Sequence, residues 1–429
     1  MRLSLPGLPY RQRRLLGSVA ALLAGGASWS AMAADDMPAE FGWTTRVVAE
    51  GREAKRDSPF AAGLPLTGFG RDRYRIEQEL RGRAGPVSLL LTATESGQEG
   101  SKPTGRFLAH EAYADLVIGG ERISVGKKQL SGDVAYGFRP IDVLQRESRL
   151  QLAPPPLEGI PMLSWDNFSS QGAWSLVLAN PGHGRRGEAR DDGSIALRLY
   201  RREGSADLHG VLRHSGRLGM EFGGAVSAVP GEALELHASL LQQTRGERRV
   251  PAADGAGTAQ LLNADAALLT EGIANPRKAL IGGTWTTADG YSMLGEVWWD
   301  GTAPAAADWQ RLRRQARQRA ALLGLPGVPA AAVAGATAAS LRIFDQGNLA
   351  RRGALARLAW SDSASGWSAS LDLLGSLDDG GRIVTAAVAW QGERLRVDAG
   401  LRRHGGPGDS AFGLLPDRAA AFVGLSLAY

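Results

Sequence analysis

Hydrophobic and polar positions alternate with period two over much of this chain. In Gly366–Leu377, Trp367, Ala369, Leu371 and Leu373 share one face, and Ser368, Ser370 and Asp372 the other. In Glu393–Arg403 the apolar face is Leu395, Val397, Ala399 and Leu401, opposed by Arg394, Arg396, Asp398 and Arg402. The run AAFVGLSLAY, Ala420–Tyr429, sets Ala421, Val423, Leu425, Leu427 and Tyr429 against small or mild residues. A tilted strand needs about nine to eleven residues to cross a bilayer. Eighteen such strands are predicted, near 41–50, 72–82, 86–95, 106–118, 120–130, 158–167, 173–181, 193–202, 206–215, 217–228, 233–243, 277–287, 290–299, 354–362, 366–377, 381–391, 393–404 and 418–429.

The connections between these strands alternate in length. Every second one is tight: RGRAGP, GG, SSQG, EGSA, VPGE, TADG, SDSASG and QGE. All the long ones fall on the other side, at 51–71, 96–105, 131–157, 182–192, 244–276, 300–353 and 405–417. A soluble sandwich has no reason to gather its long loops at one end. An up-and-down transmembrane barrel does, with short periplasmic turns, longer outer loops and an even strand count. The expected fold is therefore all-β, an antiparallel up-and-down transmembrane β-barrel of about 18 strands, within 16–18.

Tryptophan supports the same frame. Trp43, Trp165, Trp174, Trp285, Trp360, Trp367 and Trp390, with Tyr291 and Tyr429, all lie near a short-turn end and on the apolar face. Core aromatics would be scattered along the strands, whereas indole and phenol rings gather at the headgroup level of a membrane. On this reading the last strand reaches the periplasmic interface at Tyr429.

The compartment follows from the N-terminus. Arg11, Arg13 and Arg14 precede the apolar run Leu15–Ala27, then AMA at Ala31–Ala33, so residues 1–33 read as a secretory signal peptide and 34–429 as the barrel. The apolar run is too short for a spanning helix. Those 33 residues carry four arginines and no acid, so the formal charge of +5 falls to about +1 for the rest, and the charge offers no argument for a nucleic-acid partner. There is no cysteine, hence no disulfide framework and no thiol chemistry. The expected location is the outer membrane of a Gram-negative bacterium, in contact with lipid and lipopolysaccharide.

The strand parity also predicts a lumen face. Its cations are Arg73, Arg75, Arg81, Arg198, Arg202, Arg213, Lys278, Arg357, Arg394, Arg396 and Arg402, and its acids Glu77, Glu79, Glu221, Glu235, Glu296, Asp372 and Asp398. Rings of arginine favour anions in a water-filled pore; alternatively the two signs pair across the lumen and hold its shape. Catalytic and metal signals are thin. The six histidines show no H-E-x-x-H spacing and there is no G-x-S-x-G. Inward-pointing His209 and His237, with Ser239, are the nearest approach to a Ser/His site, and no third orienting residue is placed. No cofactor or metal is expected.

Two further stretches lie in the loop 300–353. DWQRLRRQARQRAALLGL, Asp308–Leu325, reads as a helix capped by Asp308. Its arginines are either solvated or available to lipopolysaccharide phosphates and anions at the pore. The following PGVPAAAVAGATAA reads as flexible low complexity, and AASLRIFDQ as an alternative strand extension.

Ile123–Leu150, followed by Gly159–Phe168, resembles a pattern in porin-like outer-membrane barrels such as the alginate-export porin and related large channels. There, a strand ending near Val-Gly-x-x enters a Gly-containing loop with a Pro-x-Asp element and returns as a strand. This chain has SGD where Trp-Gly often stands. The final aromatic at Tyr429 is similar to the terminal signal read by the barrel-assembly machinery. The resemblance implies that 131–157 folds inward as a constriction bearing Asp133, Tyr136, Phe138, Arg139, Asp142 and Arg146; the same residues also suit a solvated outer loop. The function expected is a channel for small anionic solutes or a polysaccharide, lined by Arg73, Arg75, Arg139, Arg146, Arg198, Arg213, Arg357, Arg394, Arg396 and Arg402. The competing class is a barrel enzyme or a structural barrel with a closed lumen.

Overall fold

The computed structural model describes residues 39–64, 71–130, 132–145, 152, 156–181, 192–254 and 257–429. The expected signal peptide and Arg146 lie outside the described residues. Among the described residues the strands are β1 (Ala39–Ala54), β2 (Arg73–Ala84), β3 (Val87–Gln98), β4 (Thr104–Ile118), β5 (Glu121–Lys128), β6 (Ile160–Phe168), β7 (Gly172–Ala179), β8 (Ser194–Glu203), β9 (Ala206–Ser215), β10 (Gly219–Ala228), β11 (Leu234–Gln243), β12 (Arg245–Pro251), β13 (Leu268–Ala274), β14 (Arg277–Thr286), β15 (Tyr291–Asp300), β16 (Arg352–Asp362), β17 (Trp367–Ser376), β18 (Arg382–Gln391), β19 (Leu395–Gly405) and β20 (Asp417–Ala428). Eighteen of them form one antiparallel sheet in chain order, and β1 pairs with β20 from Thr44↔Ala428 to Arg52↔Ala420, which closes the barrel. The remaining two, β12 and β13, pair only with each other, as a hairpin in an outer loop.

Alternation builds the wall as expected. On β15, Met293, Val297 and Trp299 face outward and are exposed, while Glu296, Trp298 and Asp300 face inward and are buried. Exposed Val, Leu, Ile and Phe on the outward parity make a continuous apolar band that needs lipid rather than water around it. All the long connections lie at one end, which also has short ones, such as those between β9 and β10 and between β17 and β18; the connections at the other end are all tight. The β4–β5 turn is two glycines, Gly119 and Gly120, with φ of 63° and 88°, the left-handed pair that a two-residue hairpin twisting with its strands requires.

The aromatic residues at that end form the predicted girdle. Tyr291 is opposite Trp360 and Trp367 opposite Trp390 in the ladder, and Trp165 meets Trp174 edge to face at 5.0 Å. Their polar tips are satisfied locally: Trp43 Nε1 donates to Gln78 Oε1 at 2.8 Å, and Trp390 Nε1 to the Ser365 carbonyl at 3.2 Å.

The outer end is a packed layer rather than a set of separate loops. It contains α1 (Thr258–Leu262), α2 (Ala306–Ala321) and α3 (Ala330–Leu341), the last followed by a 3₁₀ turn at Arg342–Asp345. Trp309 and Leu312 of α2 pack with Phe60, Leu341, Ile343, Phe412 and Leu414, and with Ile383 on the inner wall of β18. Trp309 stacks on Phe344 at 5.7 Å. Each fully buried large apolar side chain contributes about 1.5–3 kcal/mol, enough to fix this layer on the barrel rim.

Three loop expectations need correction. The N-cap of α2 is Ala305; Asp308 sits three residues in and accepts the Ala305 N–H at 2.8 Å. The alanine-rich stretch and AASLRIFDQ are neither flexible nor a strand: they form α3 and the 3₁₀ turn, because alanine is the strongest helix former and its small side chains pack closely at Ala336 and Ser340. Four of the five arginines of α2 face protein groups, and Arg317 is exposed. Arg319 is buried, donating from Nε to the Leu261 carbonyl at 2.9 Å and from Nη1 to Ser340 Oγ at 2.6 Å, and burial pushes its guanidinium down to about 10. Arg311 and Arg314 face Asp254, and Arg313 faces Asp409.

Candidate functional site: a loop-narrowed lumen

The chain between β5 and β6 turns into the barrel. Ile141, Val143 and Leu144 are buried against Ile160, Val177, Ala196, Val211, Ala225 and Leu241, so the loop lines the inner wall from β6 to β11. Its tip then reaches Leu280, Trp298 and Leu355 on β14, β15 and β16, with Phe138 5.9 Å from the Trp298 ring. Around the sheet, β15 stands eight strands from β5 in a ring of eighteen, nearly opposite. The loop therefore crosses the lumen, and of its two expected placements the inward one is observed.

Two aspartates fold the loop on itself. Asp142 accepts the N–H groups of Gly132 at 2.9 Å and Asp133 at 3.1 Å. Asp133 accepts those of Ala135 at 3.3 Å and Ile141 at 2.8 Å. Burial pushes the Asp133 carboxyl up to about 6; the Asp142 charge acts the same way, and the donated N–H groups oppose it. Burial also raises Asp142. Arg139 closes the turn, donating from Nε to the Ala135 carbonyl at 2.9 Å and lying 3.6 Å from Asp142.

The tip is held by one carboxylate. Glu296 of β15 is fully buried and accepts the Tyr136 N–H at one oxygen and the Gly137 N–H at the other, both at 2.7 Å. A Cβ at Gly137 would stand 2.7 Å from Leu355 and 2.9 Å from Glu296, so glycine permits this approach. On the other side of Glu296, His237 Nε2 lies 3.0 Å away, and its Nδ1 faces Glu235 at 3.0 Å. Both ring nitrogens of His237 are thus engaged by carboxylates. It is not disposed to serve Ser239 as a base, and the Ser/His arrangement considered from the sequence is corrected to a tether.

With the loop laid over β6–β11 and reaching β16, the more open inner wall runs from β16 through β20 to β1 and β2, where Leu152 of the same loop packs on Val48 and Phe422. The registers place one continuous rung there: Arg357↔Asp372↔Thr385↔Arg402↔Ala420↔Arg52. Arg357 binds Asp372 at 2.7 Å and lies over the Tyr136 ring at 5.2 Å, so the rung begins where the loop tip ends. Arg402 donates from Nε to Thr385 Oγ1 at 2.9 Å, and Arg52 contacts Asp417 at 2.6 Å. A second rung, Arg396↔Ser426↔Arg46↔Glu77, crosses the same wall, with Asp398 between Arg46 at 3.5 Å and Arg396 at 4.0 Å.

The expected lining residues divide accordingly. Arg357, Arg396 and Arg402 lie on the open wall; so do Arg75, 3.4 Å from Glu77, and Arg73, near Glu50 and Asp417. Arg139 belongs to the loop, and Arg198 lies beneath it, against Gly132 and near Asp142 and Asp166. Two placements are corrected. Arg394 lies in the β18–β19 turn, because β19 starts at Leu395, and it is not a lumen rung. Arg213 is 2% exposed and held between Asp192, at 2.6 Å, and Glu221, so it is a neutralised buried triad rather than pore lining. The Glu296 tether and the Arg52 and Arg46 positions were missed; Arg52 lay in a segment read as a loop, and β1 in fact extends to Ala54.

Above the loop tip a cavity of about 170 Å³ is bounded by Tyr136, Phe138, Arg139, Lys278, Asp300 and Asn348. It shares Glu247, Thr302 and Gln346 with a wider chamber of about 660 Å³ in the outer layer. Among the described residues no His, Cys, Asp and Glu group is arranged to hold a metal ion.

Comparison with known proteins bears on the fold. No protein-family model matches the chain, and no curated protein matches it. Among solved structures, Acinetobacter baumannii OccAB1 superposes with a TM-score of 0.55 at 10% identity, over 91% of this chain and 96% of that one. The outer membrane protein OprD from Pseudomonas aeruginosa gives 0.53 at 8% identity, over 91% and 93%. Pseudomonas aeruginosa OccK2 (OpdF), solved in complex with glucuronate, gives 0.51 at 10% identity, over 91% and 98%. The fold is that of Occ and OprD outer-membrane porins, so the resemblance to porin-like barrels holds; the narrower one to the alginate-export porin is not carried by these neighbours.

Proposed function

We propose that this protein is an outer-membrane channel, not an enzyme, and that it passes small anionic solutes by diffusion through a water-filled lumen. The observation that carries the reading is the Arg357–Arg402–Arg52 rung and its neighbours on the inner wall from β16 to β2. Within the rung Asp372, Glu50 and Asp417 offset the three guanidinium groups, but over the whole wall Arg46, Arg52, Arg73, Arg75, Arg357, Arg396 and Arg402 outnumber Glu50, Glu77, Asp372, Asp398 and Asp417, which leaves a modest positive surplus. The groups are largely paired with nearby carboxylates, so each is worth about 0–1 kcal/mol to a passing ion, which predicts a few-fold preference for anions. A loop spanning the lumen and a packed outer layer suit a small solute better than a polymer. OccK2 was solved with glucuronate, a small carboxylate, which makes that compound a sensible first solute to try here. Planar-bilayer recording of the purified protein tests the reading. Stable conductance steps with an anion-selective reversal potential support it; cation preference rejects the anionic solute, and correctly folded protein with no conductance indicates a closed structural barrel.

A further inference from the structure

Four of the arginines of α2 face protein groups in the outer layer. The outward face of the barrel carries other arginines. On β14, β16, β18 and β19 the outward residue next above the apolar band is arginine each time: Arg277, Arg352, Arg382 and Arg403. Below them on the same parity stand Ile281, Leu358, Val384 and Leu401, all exposed. From Trp390 in the girdle to Arg382 is eight residues of β18, about 27 Å along the strand and about 20 Å of depth at a tilt near 40°. That is close to the height of an outer-membrane apolar band, so Arg382 emerges at the opposite border.

The local shape is open. Arg382 is flanked in register by Gly375 on β17 and Gly405 on β19, neither of which has a side chain to cover it. Space around a Cβ at Gly375 is empty to 4 Å. Arg403 is opposite Val384, one step below Arg382 on the same face. Arg352 borders the notch from β16, paired with Asp378 at 2.6 Å. Arg382 and Arg403 have no carboxylate partner among the described residues. Guanidinium forks match phosphate oxygens bidentately, and a lipid-facing arginine at the apolar border is tolerated where headgroup charge meets it.

We infer that Arg382 and Arg403, with Arg352 at their side, form a surface site for the phosphate-bearing headgroup of an outer-leaflet glycolipid, whose acyl chains lie on Val384, Leu401 and Leu373. Charge selects the occupant: two unpaired cations above an apolar wall fit an anionic amphiphile and disfavour a second copy of the same face, which would bring arginine against arginine. Native mass spectrometry of the full-length protein in non-ionic detergent, titrated with bisphosphorylated lipid A, measures this. The wild type is expected to retain lipid A, and Arg382→Gln with Arg403→Gln to weaken retention about tenfold. Dephosphorylated lipid A should bind the wild type as weakly as lipid A binds the double variant. Heat-shifted gel mobility checks that the variant is folded; should it fail, Arg352→Gln alone is expected to weaken retention several-fold. Equal retention of lipid A by the wild type and the folded variants, equal binding of the dephosphorylated lipid, or an oligomer that dissociates when Arg382 is changed would each overturn the site.

Discussion

The tether between Glu296 and the loop tip holds the loop across the lumen, which on the proposed channel reading narrows the passage, and it can be cut with one substitution. In Glu296→Ala the N–H groups of Tyr136 and Gly137 lose both carboxylate oxygens that hold them at 2.7 Å. A hydrogen bond to a charged group is worth about 1.5–3 kcal/mol net, so the pair holds the tip by about 3–6 kcal/mol. Water entering the vacated site returns part of this, leaving roughly 3 kcal/mol, a factor above one hundred between seated and released tips. The base of the loop stays in place, because Ile141, Val143 and Leu144 keep their contacts with β6–β11. Only the segment around residues 135–139 is freed, and with it the Tyr136 ring that covers Arg357. Single-channel recording in potassium chloride should show a larger mean conductance and more open-channel noise. Glu296→Gln, which keeps one acceptor oxygen, should fall between. If folded Glu296→Ala matched the wild type in both conductance and noise, the loop tip would be held by its apolar contacts alone and the tether argument would be wrong.

Other outcomes follow from the same geometry. Arg357→Ser with Arg402→Ser should move the reversal potential in a salt gradient toward zero selectivity; no movement would transfer the preference to Arg139. Asp133 has its carboxyl raised to about 6, above its unfolded value, so the folded loop holds the proton longer and its seat weakens as pH rises from about 4 through about 6. Open-channel noise should therefore increase over that range and be nearly flat in Asp133→Asn, with a residual slope from Asp142. Arg213→Ala leaves Asp192 and Glu221 buried without their cation, which costs about 3–5 kcal/mol and should lower the temperature of the heat-induced gel-mobility shift by several degrees.

Strand parity was readable because the middle of a lipid-facing wall tolerates almost no charge. A charge at mid-membrane costs about 2–4 kcal/mol, so the outward positions there are held apolar and the inward set follows by elimination. This is why Trp367, Leu371 and Asp372 were assigned to the correct faces from sequence. Above the membrane that constraint ends. The hairpin of β12 and β13 begins Arg-Gly-Glu-Arg-Arg, with no alternation to mark it, and α3 consists of residues that look featureless until packed. Arg394 was misplaced because a turn and a strand end differ by a single residue there. The tether was half visible: His237 and Glu296 were both predicted inward, but their meeting depends on β11 and β15 lying two strands apart across β14, where Gly282 leaves room between them.

The seam between β1 and β20 has a kinetic consequence. Every other pair in the barrel joins strands adjacent in the chain or separated by one outer loop, but the seam joins Thr44 to Ala428. Closing a loop of that length costs about 5 kcal/mol of chain entropy before any seam contact repays it. The ladder from β1 onward can zip locally, whereas the seam forms only after every intervening strand has found its neighbour. Until then β1 and β20 both present unpaired N–H and C=O groups, and a bare edge in a bilayer is a severe liability. The nascent barrel is thus most vulnerable at its final step, and a factor that holds the free edge of β20 until β1 arrives would shorten that interval. Substitutions that weaken the seam, such as proline at Val423 or Leu425, should slow maturation far more than the same change in an interior pair such as β16 and β17.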